Sequence, residues 1–69
     1  MKTFGGELSP SQIEAGLSVM RGEFKGTKVM GALRAAGVPD IVSAAERLIS
    51  RELKAGNIRR VTRGIYRSL

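Results

Sequence analysis

Apolar residues recur along this chain at helical spacing in three stretches and at strand spacing near its C-terminal end. The clearest run is PDIVSAAERLISRELKAG, where Ile41, Ala45, Leu48, Ile49 and Leu53 return at three- and four-residue steps and form one apolar stripe. Asp40 is placed to cap this helix, and Gly56 stands where it stops in a left-handed residue, with Lys54 in the last turn beside the negative end of the dipole. Two β-prone runs follow, Ile58 to Val61 and Ile65 to Arg67, separated by a predicted three-residue loop, Thr62-Arg63-Gly64. Upstream, Ser9-Pro10-Ser11-Gln12 carries the signature of a helix start, with Ser9 as cap, Pro10 at the first helical position and Gln12 completing a capping box. That helix is expected to run to about Arg21 or Gly22 and to bury Ile13, Leu17 and Met20. Gly16 inside it costs ~1 kcal/mol relative to Ala, a cost that close approach of another element would explain.

The stretch Gly22-Glu23-Phe24-Lys25-Gly26 is too short for a helix; Phe24 is expected to plug the core, and the segment can lie as a strand against the later hairpin. Thr27 is then read as the cap of a helix from Lys28 to Ala36 that Gly37 ends. Val29 and Leu33 face inward there, with Ala32 and Ala36 beside them. Small residues (Gly31, Ala32, Ala35, Ala36) would let this helix pack tightly on a neighbour. Val38-Pro39 breaks the path, because the residue before Pro avoids helical angles. Residues 1–8 read as a flexible lead-in with Phe4 and Leu8 as anchors, and residues 9–69 as one domain. The predicted fold is mainly α with a small β-hairpin (α+β), in the order helix, strand, helix, helix, strand, strand.

Composition narrows the chemistry. Cys and His are both absent, which excludes disulfides, thiolate metal sites, the usual zinc fingers and the usual catalytic triad. No metal or other cofactor is expected. The carboxylates Glu7, Glu14, Glu23, Asp40, Glu46 and Glu52 form no paired cluster, and a Ser50–Lys54 nucleophile would lack a water-excluding site in a chain this short. Gly26 and Gly31 have P-loop spacing, but Ala32-Leu33 follow where Lys and Ser or Thr are needed. The chain is therefore not expected to be an enzyme. No apolar run has signal-peptide or membrane-spanning length, so the expected location is the cytoplasm or nucleoid, with no membrane partner.

The net charge of +6 is uneven. Up to Ala45, five basic residues face four acidic ones; from Glu46 onward, seven face two. The excess positive charge therefore rides on the long helix and the hairpin, which points to an anionic partner at that end. On the helix, Ser43, Arg47, Ser50, Arg51 and Lys54 form a polar, mostly cationic face. In the functional reading this face enters a major groove, with Arg47 positioned for a bidentate guanine contact discriminating between bases by ~1–3 kcal/mol. In the plainer reading these residues are solvated, Arg47 and Arg51 pairing with Glu46 or Glu52 for a few tenths of a kcal/mol. The hairpin adds Arg59, Arg60, Arg63 and Arg67. Alternation sends Arg59 and Arg60 to opposite faces, and Arg63 at the tip is positioned for a minor groove or a phosphate. Edge protection by charge is the structural alternative. Tyr66 is expected to pack on Ile58 or Val61. Thr27 and Lys28, at a helix N-terminus, suit a phosphate or simple capping.

The short helix and longer helix joined through Gly37-Val38-Pro39, with the hairpin appended, resemble the winged helix-turn-helix family of DNA-binding domains. The resemblance covers residues 9–67 in layout and is most specific at LISRELKAGNIRRVTRGIYR. It rests on Ile49 and Leu53, the Lys54-Ala55-Gly56 step and a basic wing closing on Gly64 and Tyr66. The turn departs from the tightest form of the family pattern, since Val38-Pro39-Asp40 lengthens it, so no single base contact carries over. The resemblance implies a small double-stranded-DNA-binding protein, a transcriptional regulator of bacterial or phage origin, with the third helix in the major groove and the hairpin on the flank. A homodimer would help specificity, since one such domain covers about one half-site. The alternative is a winged-helix interaction module that binds an acidic protein partner, with Met30, Val19 or Val42 as an apolar contact patch. RNA binding fits less well, with aromatic residues at 4%.

Overall fold

The structure, a computed structural model, describes residues 8–69. Three helices and a three-stranded antiparallel sheet follow one another as α1 (Pro10–Ser18), β1 (Glu23–Lys25), α2 (Gly26–Ala35), α3 (Ile41–Ala55), β2 (Ile58–Thr62) and β3 (Ile65–Ser68). The element order is the one expected, but the β part is larger than a hairpin. β3 lies between β1 and β2, so the chain's first strand pairs with its last. The expected lead-in over residues 1–8 lies outside the described residues except at Leu8, which is half-buried against the core.

The core gathers Met20, Phe24, Val29, Leu33, Val38, Ala44, Ala45, Leu48, Ile49 and Ile58. Val29, Leu33 and Leu48 are fully enclosed. Gly16 explains how α1 fits onto this layer. A Cβ at that position would lie 2.6 Å from Leu48 Cδ2 and 3.2 Å from Leu33 Cδ2, so any side chain there would have to push the terminal methyl of Leu48 aside. The expected tight packing through Gly31 and Ala35 does not occur: both are exposed, and a Cβ on Gly31 would meet nothing within 4 Å. Met30 and Val19 are half-buried against the core, whereas Val42 is exposed.

Local chemistry sets most boundaries. The capping box at α1 is complete: the Ser9 side chain accepts from Gln12 N–H, and the Gln12 side chain accepts from Ser9 N–H. α1 stops at Ser18, short of the expected Arg21 or Gly22. Ser18 Oγ donates to the Ala15 carbonyl at 2.7 Å, Met20 N–H closes onto the Leu17 carbonyl, and sheet pairing begins where Ser68 N–H donates to the Gly22 carbonyl. Met20 is thus buried from the turn after the helix, not from the helix itself.

The expected cap at Thr27 is also displaced. Gly26 N–H donates to the Gly64 carbonyl at 3.0 Å, which carries the sheet up to the first residue of α2. Lys25 becomes the N-cap without a side-chain hydrogen bond, and Thr27 lies one residue inside the helix.

Helices α2 and α3 end in the same closure. Gly37 and Gly56 adopt φ of 85° and 80°, where a side chain would be strained. Val38 N–H reaches the Leu33 carbonyl and Asn57 N–H the Glu52 carbonyl, both at 3.0 Å. After α2 the next side chain, Val38, docks into the core. After α3 it is Asn57, whose Nδ2 donates to Glu52 Oε1 at 2.9 Å.

The hairpin is tighter than expected. Thr62 pairs with Ile65, which leaves Arg63-Gly64 as the loop, and an irregularity between Arg60 and Thr62 leaves Val61 as the unopposed residue. Phe24 sits opposite Tyr66 across β1 and β3, and their rings stack with centroids 5.8 Å apart. Tyr66 therefore stacks on Phe24, a partner that the third strand brings and the hairpin alone does not offer, and packs against the core that includes Ile58.

Candidate nucleic-acid interface

Helix α3 is two-sided by sequence. Its apolar stripe is buried at Ala45, Leu48 and Ile49 and half-buried at Ile41 and Leu53, and the opposite side carries Arg47, Ser50, Arg51 and Lys54 at steps of three and four residues. These four side chains, all exposed, line one shallow concavity together with Glu46 and Ala55. Ser43 lies outside it, half-buried in the first turn, where its N–H donates to Asp40 Oδ1 at 3.3 Å. The expected pairing with the helix's own carboxylates is weak at Arg51, whose Nε is 4.0 Å from Glu52 Oε2 with the side chain 54% exposed.

Glu52 is the unexpected member of this helix. It is only 9% exposed, although a carboxylate between Leu48 and Leu53 reads as a solvated residue in sequence. Its oxygens face Asn57 Nδ2 and Arg51 Nε, and its own carbonyl accepts Asn57 N–H. Asn57 in turn accepts Leu69 N–H on its carbonyl at 3.0 Å. This chain of bonds fixes the base of the hairpin on the end of α3, so helix and ribbon hold one orientation.

The hairpin arginines divide as strand alternation requires. The register sets Glu23, Arg67 and Arg59 in one row across the sheet, and Phe24, Tyr66 and Arg60 in the next. Arg60 faces the helices' side of the sheet with its guanidinium 6.0 Å from the Tyr66 ring centroid. Arg59 lies directly opposite Arg67 on the other side, a like-charge pair that an anion would relieve. Arg63 stands exposed at the tip.

Thr27 and Lys28 belong to neither group. They line a separate groove with Ser18, Val19, Arg21, Glu23, Lys25 and the edge of Phe24. Arg21, Lys25 and Lys28 stand at four- and three-residue steps, but they come from a turn, β1 and α2 rather than from one helix, so no single element marks them as a group in the sequence. Among the described residues, no group of three or more acidic side chains is placed to hold a metal ion, and no helix is long and apolar enough to cross a membrane.

Comparison with protein-family models, with curated proteins and with solved structures returned no match.

Proposed function

We propose that this chain is a small double-stranded-DNA-binding domain of the winged helix-turn-helix type, acting in transcriptional regulation, with α3 in the major groove and the β2–β3 hairpin along the flank. One observation carries the reading: Arg47, Ser50, Arg51 and Lys54 stand side by side and exposed on a helix whose other face is locked in the core. An α-helix fits the major groove, and cationic side chains at these steps reach base edges and phosphates on the same side. The layout of the elements supports it, since helix, strand, helix, helix, strand, strand is the layout of a winged helix. The Glu52–Asn57 connection supports it as well, because a wing contributes to affinity only if it is already oriented when the helix docks.

In this reading Arg47 reads a base and Arg63 holds a phosphate. Substituting each with Ala separates the two roles. Arg47→Ala relaxes sequence preference at one position by about 1–3 kcal/mol, whereas Arg63→Ala weakens every duplex alike and lowers the salt dependence by about one unit. Competition binding with a randomised duplex pool measures both. Identical behaviour of the two variants would refute the placement of α3 in the groove.

A further inference from the structure

The sheet stops at β1, and its outer side carries a second surface. Ser68 N–H donates to the Gly22 carbonyl at 2.8 Å, and Gly26 N–H donates to the Gly64 carbonyl at 3.0 Å. Backbone groups of residues 22, 24 and 26 therefore face β3, and strand alternation turns the N–H and C=O of Glu23 and the N–H of Lys25 the other way. Among the described residues no strand lies on that side. The free edge opens into the groove of about 770 Å³ bounded by Ser18 to Arg21, β1 and the first turn of α2. Val19, Phe24 and Ile65 give it apolar surface; Arg21, Lys25 and Lys28 outnumber Glu23 around it.

We propose that the outer edge of β1 receives an extended acidic segment of a partner protein, which adds to the sheet as a fourth strand. Alternating donor and acceptor groups on one line match another polypeptide backbone, and side chains on alternate positions of the added strand would meet the apolar floor and the cationic rim in turn. A nucleic-acid backbone fits less well, because a phosphate along this edge would face the Glu23 carbonyl and carboxylate as well as the N–H groups. A second copy of this chain fits less well too, since pairing β1 with itself brings two sets of Arg21, Lys25 and Lys28 together in low-dielectric contact. This surface is separate from the α3 face, so its occupancy does not depend on DNA binding.

The test is a titration of the full ¹⁵N-labelled chain with a synthetic peptide of alternating Glu and Val, followed by amide chemical shifts. The expected result is shifts centred on the Glu23 and Lys25 amides. A peptide of equal charge, N-methylated at every residue, should bind about tenfold more weakly, because neither of its edges can pair. Arg21→Glu with Lys25→Glu should weaken the unmodified peptide by about tenfold or more and abolish the shifts at the Glu23 and Lys25 amides. Equal binding of the N-methylated peptide would overturn the proposal, as would shifts confined to α3. So would displacement of the peptide from β1 by a short DNA duplex, or concentration-dependent dimerisation through this edge without peptide.

Discussion

The two faces of α3 carry the same number of turns and opposite physical duties. On the inner face, Ala44, Ala45, Leu48 and Ile49 are buried, and every one of them is placed by contact with another element. On the outer face, Arg47, Ser50, Arg51 and Lys54 are exposed, and the geometry at Arg51 is too loose for its carboxylate neighbour to hold it. The contrast teaches where each kind of residue acts. Inner-face residues set the stability of the domain and the angle at which α3 is presented. Outer-face residues are exposed and are expected to add little to stability.

Substitutions that respect this division should fall in a definite order of effect on unfolding free energy. Leu48→Ala comes first, because it empties the most enclosed position on the inner face and removes the contact that Gly16 admits; a loss of about 2–5 kcal/mol is expected in urea unfolding. Gly16→Val acts on the same contact from the other side. Its added methyl groups have no room beside Leu48 and Leu33, and a loss of about 1–3 kcal/mol is expected by the same measurement. Asn57→Ala removes a hydrogen bond to a nearly buried carboxylate and should lose about 1–2 kcal/mol. It should also loosen the wing, visible as faster amide exchange in β2 and β3 than in α1. Arg51→Ala, on the outer face, should stay within about 0.5 kcal/mol in stability. A loss of several kcal/mol there would mean that the outer face also builds the fold, and the division would fail.

Much of this helix was legible in sequence because its signals are local. Periodicity placed the apolar stripe, Asp40 and Gly56 placed the ends, and the step from 47 to 54 placed the cations on one side. The capping box at Ser9 was legible for the same reason, whereas Gly16 showed only as a costly residue in a helix, its neighbours Leu33 and Leu48 lying on other elements. What escaped was decided between distant segments. Thr27 has the chemistry of a cap, yet the hydrogen bond from Gly26 to Gly64 starts the helix earlier. Val38 reads as a chain breaker before Pro39, but the left-handed closure at Gly37 turns it into the core. Glu52 reads as solvated because its partner Asn57 lies past the end of the helix. The groove beside β1 was legible only at Thr27 and Lys28, since Val19 and Ile65 join its lining once the strand, two helices and β3 have come together.

The most direct test of the outer face as a DNA-binding surface is the affinity of the wild-type chain for a duplex as salt is raised. About five phosphate contacts give a slope of log affinity against log salt near −4 to −5. Between about 50 and 200 mM salt, affinity should then fall roughly 250- to 1,000-fold. No binding at the lower salt, or an affinity that salt leaves unchanged, would contradict the account.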